Sequence, residues 1–247
     1  MSKTMHTVFV SIGITFTGVL LIAAVVWGYM MTPTDTPCSS IEYIIEDAHN
    51  RMYVTTTEID NLLRKEGVYP VGKSLNMIAL SRIESVVRNH PMVRYAECYI
   101  TPRNEVRVNL TQRVPLLRVQ TPWETYIIDT DRRKMPIRSS IKDKVLVVTG
   151  SVGEQVASSA LADFAEWVQK KSFWQEKIHY VHMKTPQIMV LYLRGDNEPR
   201  IMMGPIRGYE SKLNKLRTFM ENSQDNQRDK KYYEIDVRFN GQVIGRY

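Results

Sequence analysis

Cysteine is scarce in this sequence: Cys38 and Cys98 are the only two in 247 residues, with no Cys-x-x-Cys pair. With no histidine at ligand spacing beside either one, a zinc ribbon and a disulfide-stapled scaffold are both excluded. Cys98 alternates with Ala96 and Ile100 in a strand-like run, which turns it inward as a buried thiol. An oxidising compartment would also permit a Cys38–Cys98 bridge. His179 and His182 are close in sequence, but three residues along a strand place two side chains on opposite faces. The glycines of "TGSVGE" precede a helix without the Gly-Lys-Ser/Thr ending of a phosphate loop, and read as a turn and N-cap. No Gly-x-Ser-x-Gly element occurs. These absences leave no catalytic set, no metal site and no cofactor, so enzymatic activity is not expected. A basic run is lacking too: the net charge is +7, yet Lys and Arg are spread along the chain. Nucleic acid is therefore not an expected partner, and a basic face toward anionic lipid or wall polymer is the simpler reading.

One segment lacks charge altogether. "VFVSIGITFTGVLLIAAVVWGYMM", Val8 to Met31, holds no Asp, Glu, Lys or Arg. At about 1.5 Å per residue it reaches roughly 36 Å, enough for one tilted crossing of a ~30 Å hydrocarbon layer. A cleaved signal has a shorter apolar run, of about 7–15 residues, before a small-x-small site. Here "YMMTPTDTP" offers only Thr-rich, Pro-interrupted candidates, so the expectation is an uncleaved transmembrane helix over 8–31. Lys3 precedes it, whereas residues 32–50 hold Asp35, Glu42, Glu46 and Asp47 and no Lys or Arg. Residues 1–7 then form a cytoplasmic tail, and the bulk is exported beyond a linker at 32–40.

The exported chain has two rhythms. "SIEYII" reads as a strand. "VTTTEIDNLLRKEG" starts a helix with Thr55 and Glu58 in capping-box spacing, and Gly67 stops it. Leu80, Ile83 and Val87 mark a second helix ended by Pro91. "VRYAECYIT" and "EVRVNLTQR" alternate with period two, Val106, Val108 and Leu110 facing one way and Arg107, Asn109 and Thr111 the other. After Pro115 closes this unit, "ETYIIDTDRRKMPI" predicts a strand turning at Asp129–Arg132, and "KVLVVTG" a buried strand. A helix near Glu154–Lys171 carries Ala157, Leu161, Phe164 and Val168 on one face. Three strands follow in "KIHYVHM", "QIMVLYLRG" and "PRIMMG", then an amphipathic helix with Tyr209, Leu213, Leu216 and Met220 on one stripe. "YYEIDVRFNGQVIGRY" predicts a hairpin around Asn-Gly. The fold class is α+β.

A strand-helix-helix-strand-strand unit outside a single N-in anchor resembles the layout of the bacterial cell-division family FtsQ/DivIB. "NHPMVRYAECYITPRNEVRVNLTQRVPLLRV" is similar to that family's second-helix end, two strands and "QRxP" exit. "WETYIIDTDRRKMPI" is similar to its "YxIDxxGxxMP" hairpin, and "YYEIDVRFNGQVIG" to its closing "YVDLRY" strand. The order is the family's along the whole chain, in the manner of its Bacteroides-like branch. The resemblance implies a POTRA domain (β-α-α-β-β) over 41–113, and over 114–247 a mixed, β-rich domain with two helices. It also implies a non-catalytic divisome scaffold in the cell inner membrane at the septum. Its partners would be FtsB-like and FtsL-like coiled-coil proteins, the former adding a strand beside the last strands, together with other divisome membrane proteins.

The family's Arg-Tyr pair falls on Arg238 and Phe239. The resemblance gives Arg238 the role of clamping a partner carboxylate. Phe239 is either an apolar anchor for the partner or a core-facing strand residue, and Phe for Tyr removes a hydroxyl contact. Tyr233, Ile235, Val243 and Ile244 belong to the same partner surface. On the POTRA unit, Arg107 and Arg113 project outward, as partner contacts or as solvated charge. Where the family hairpin has Gly, this sequence has Arg132. The alternative is a POTRA-containing envelope-assembly or secretion factor, which would carry repeated POTRA units and a long barrel.

Overall fold

A computed structural model describes residues 17–27, 36–46, 52–142, 144–226 and 232–247. Much of the expected membrane span, at 8–16 and 28–31, lies outside them, as do the tail at 1–7 and linker residues 32–35. Residues 17–27 form a helix, α1, whose Leu20, Leu21, Ile22 and Trp27 are all exposed. Among the described residues no helix is long and apolar enough to cross a membrane.

The first domain runs β1 (Ser40–Glu46), α2 (Thr56–Lys65), α3 (Leu80–Arg88), β2 (Val93–Ile100) and β3 (Glu105–Gln112). Its sheet order is β1-β3-β2, with β1 parallel and β2 antiparallel to the central β3. Thr55 caps α2 by accepting from the Glu58 amide. The helix stops where Gly67 turns to φ +70, and the amides of Gly67 and Val68 return to the Arg64 and Leu63 carbonyls, a Schellman closure that needs the glycine's positive φ. Ile59, Leu63, Ile83 and Val87 then pack on Ala96, Cys98, Val106, Val108 and Leu110. The strict alternation of β3 is what makes one face of this sheet apolar. Cys98 and Cys38 are both buried, free thiols.

The second domain is one mixed sheet of nine strands: β4 (Pro115–Gln120), β5 (Thr125–Asp129), β6 (Lys134–Pro136), β7 (Leu146–Gly150), β8 (Ile178–Thr185), β9 (Ile188–Leu193), β10 (Arg200–Gly204), β11 (Glu234–Asp236) and β12 (Ile244–Arg246). Their order is β12-β11-β10-β9-β8-β7-β4-β5-β6. Helices cover one face: α4 (Glu154–Val156) and α5 (Ala162–Gln169), joined through a π turn at Ala157–Leu161, then α6 (Ser172–Lys177) and α7 (Tyr209–Asn226). Ala157, Leu161, Phe164, Val168, Leu213 and Leu216 enter this core. Two elements were not foreseen. β4 occupies a stretch expected only to leave the first domain, and α6 adds a third, short helical element seated by Trp174.

On the opposite face, Ile127 of β5, Met135 of β6 and Ile141 join the first domain's core. The two domains therefore share buried apolar surface. Charges reinforce it: Arg94 holds Asp131 through two bonds of 2.6 and 2.7 Å, and Arg138 holds Glu58, 2.7 Å away, across the junction. Glu58 does not reach back to the N-cap as a capping box predicts, because Arg138 and the buried His90, at 3.2 Å, engage its carboxylate.

Candidate partner-binding edge

β12 is the end strand of the sheet order, so β11 is its one neighbour among the described strands. The pair is antiparallel, with Glu234 opposite Arg246, Ile235 opposite Gly245 and Asp236 opposite Ile244. Alternation divides the side chains of "EIDVR": Ile235 and Val237 enter the core, while Glu234, Asp236 and Arg238 share the other face. The hairpin expected around Asn-Gly forms, with Asn240 and Gly241 in a turn at its tip. The loop spans Val237–Val243, because its first residues are held elsewhere: Lys215 of α7 donates to the Phe239 carbonyl at 2.6 Å, and Arg238 N donates to Asp236 Oδ1 at 3.1 Å.

The polar face is a row of alternating charge. Glu234 is bonded by both Arg200 and Arg246, each at 2.8 Å. Arg238 grips Asp236 with Nη2–Oδ2 at 2.6 Å and Nε–Oδ1 at 2.9 Å; the Asp236 side chain is buried, that of Arg238 38% exposed. Burial pushes the Asp236 carboxyl upward, but its hydrogen bonds from Arg238 outweigh this and hold it below the usual range. The same pairing raises Arg238. Gly204, at φ +66, lies under the Arg238 stem, where a Cβ would come within 3.0 Å of Cγ and Cδ. Arg238 is thus present at the surface, with its donor fork already engaged by this chain's own carboxylate.

The apolar members of the set divide as well. Phe239 is 47% exposed, Tyr233 54% and Ile244 40%. Val243 is half-buried against the core, and Ile235 is fully inside it, so its side chain supports the edge from beneath. In the β-domain, four of the six exposed large apolar side chains, Tyr233, Phe239, Ile244 and Tyr247, fall at this one edge, which marks it as the domain's apolar surface. Sequence reasoning did not find Arg200, Arg246, Gly204 or Lys215. The polar alternation of Glu234, Asp236 and Arg238 was a usable signal for the internal ion pair; Lys215 comes from a distant helix and left none.

On the first domain, Arg107 stands on the open sheet face, bonded to Glu42 at 2.7 Å and reaching the Tyr99 hydroxyl at 3.3 Å. Arg113 is a correction. It was expected to project outward, but it is buried, 2.6 Å from the equally buried Asp129 of β5. The direction that points out of the first domain points into the second. The Arg132 turn adopts φ +65, the left-handed backbone that glycine takes at lower cost, and its guanidinium bonds Asp163 and Glu166, each at 2.8 Å. His179 is exposed and His182 bonds Thr149 at 3.0 Å. Among the described residues, no three His, Cys, Asp or Glu groups are placed to hold a metal.

Residues 114–246 match the family model described as FtsQ/DivIB, C-terminal related, and residues 36–111 match one described as POTRA-like domain. No curated protein matches the chain.

Proposed function

Since the chain belongs to the FtsQ/DivIB C-terminal related family, a membership that suggests a role in cell division, we propose that it is a non-catalytic divisome scaffold whose β12 edge binds FtsB-like and FtsL-like proteins. The observation that carries this reading is the coincidence of an edge strand with the exposed cluster of Tyr233, Phe239, Ile244 and Tyr247. An edge strand offers unpaired N–H and C=O groups for strand addition, and side chains beside it supply selectivity. The POTRA-like domain would meet other divisome membrane proteins through its open face, where Arg107 lies. The uncharged segment over 8–31 would anchor the chain in the inner membrane, N-terminus inward. The all-round apolar exposure of α1 supports that anchor, since such a helix needs an apolar surrounding. An envelope-assembly factor shares only the POTRA-like domain, and the match over 114–246 favours division.

The test is affinity capture from cross-linked membranes with full-length chain, Phe239→Asp and a chain ending at Lys231, read by mass spectrometry. Small coiled-coil division proteins should be recovered by the unaltered chain and lost from both others. Recovery of envelope-assembly proteins in their place would falsify the division reading. Equal recovery by all three chains would move the site away from β12.

A further inference from the structure

The chain enters the first domain at Thr36, and its first residues there are tied to two loops. The Thr36 carbonyl accepts from the Leu75 amide at 3.0 Å, Pro37 bridges Ser74, and Cys38 exchanges bonds of 2.8 and 2.9 Å with Lys73 and Gly72. On the other side, the Ser39 amide donates to the Asn104 carbonyl of the β2–β3 turn at 2.9 Å. β1 and β3 run parallel away from this end, and β2 runs back toward it. α2 also ends here, since Lys73 Nζ donates to the Gly67 carbonyl at 3.0 Å. The entry point, the α2–α3 loop and the β2–β3 turn thus make one tip, and β3 leaves from the opposite end toward the second domain. Met77 closes a one-turn 3₁₀ helix on this tip and is 80% exposed, the most exposed large apolar side chain among this domain's described residues. Lys73 and Arg103 are exposed on the same tip, with Lys65 at the end of α2 and Arg82 in the first turn of α3. Among the described residues none of these four cations is in an ion pair. Glu66 and the half-buried Glu105, which bonds Ser40 and Thr101, stand against them.

With the anchor read over 8–31, five residue steps separate Met31 from Thr36, a reach of at most roughly 18 Å. About 6 Å of that lies within the headgroup layer. Thr36 is then held within roughly 12 Å of the lipid surface, close to the ~8 Å over which charges act at physiological salt. We propose that this tip is a membrane-docking surface, with Lys73 and Arg103 on the phosphates of anionic lipids and Met77 dipping among the headgroups. The proposal rests on the anchor reading and goes beyond it. An anchor alone leaves the domain free to swing on its linker, whereas docking fixes the direction in which the far end carries the second domain. Each basic side chain at an anionic surface strengthens binding about fivefold. The tether keeps the tip's effective concentration at the surface high, so a few such contacts suffice.

The test places full-length chain in nanodiscs of phosphatidylglycerol and, separately, of phosphatidylcholine. A nitroxide is attached at Met77→Cys or, as a reference, at Trp123→Cys, an exposed position on the second domain. Cys38 and Cys98 are buried and leave the label to the introduced thiol. In phosphatidylglycerol the Met77 label should be relaxed by oxygen in preference to a water-soluble nickel chelate, as an immersed label is, while the Trp123 label stays in water. Lys73→Gln combined with Arg103→Gln should lower the docked-to-free ratio roughly thirtyfold, and phosphatidylcholine should weaken docking in the same direction. A Met77 label that stays in water in phosphatidylglycerol, on a chain that still co-elutes with the discs, overturns the docking and leaves the anchor standing. Immersion unchanged in phosphatidylcholine and in the double variant overturns the part given to the charges. A chain that does not remain with the discs overturns both docking and anchor.

Discussion

Asp129→Ala removes the carboxylate from the pair that seals the junction between the domains. The Arg113 and Asp129 side chains are 8% and 1% exposed, so neither charge is repaid by water when its partner goes. Asp129 also accepts the Arg133 amide at 2.7 Å, a second bond lost with it. Breaking such a buried pair from one side costs about 4 kcal/mol, because the remaining charge is left desolvated and alone. At roughly 3 °C per kcal/mol for a chain of this size, Tm should fall by about 12 °C. Calorimetry of the full-length protein in detergent reads this directly, and the single transition should divide as the domains uncouple. Replacing both partners, Arg113→Met with Asp129→Leu, should recover most of the loss, since two apolar side chains leave no orphaned charge. A single-variant loss below about 1 kcal/mol, or a double variant equal to the sum of the singles, would show that the pair is not a desolvated ion pair and refute the reasoning.

Arg132→Gly relieves a left-handed backbone, a gain of about 1 kcal/mol, and gives up two exposed ion pairs of at most ~1 kcal/mol each; the unfolding free energy from urea titration should change by less than about 1 kcal/mol, and a larger loss would mean the Asp163 and Glu166 contacts are stronger than surface pairs. Glu58 is held below its usual range first by the Arg138 hydrogen bond, with burial opposing and His90 assisting. A depressed carboxyl contributes stability above its unfolded value of about 4.3, and that contribution drains away as pH falls through the lower folded value. Glu58→Gln should therefore flatten the acid limb of a Tm-against-pH curve, and parallel curves for the two proteins would sink the argument. The Cys98 thiol is pushed up to about 12 by burial and then by Glu84, so a thiol reagent near neutral pH should label it only as the chain unfolds; rapid labelling of folded protein would contradict the packing.

How far the sequence could be read depended on whether each segment's surroundings lay within its own domain. The helices and strands of the POTRA-like unit carry their own periods and stops, as in the alternation of β3 and the glycine after α2, and these were legible. β4 was not, because "PLL" is buried without alternation and Pro115, which reads as a breaker, occupies the first position of a strand, where a missing N–H is tolerated. Arg113 obeyed its outward phase, but a second domain occupies that outside. Phe239 shows the converse: alternation after Ile235 and Val237 points it into the core, yet β11 ends at Asp236 and Lys215 fixes the following loop, leaving the ring at the surface. The same locality bears on how the edge would bind. Three guanidinium groups, Arg200, Arg238 and Arg246, face two buried carboxylates that already occupy them. An acidic partner would thus meet one surplus positive charge, with the Arg238 fork already engaged by Asp236. Such a field speeds encounter more than it deepens affinity. Backbone pairing along β12 and the exposed rings beside it must then supply most of the hold, so truncating Phe239 should cost more affinity than neutralising Arg246.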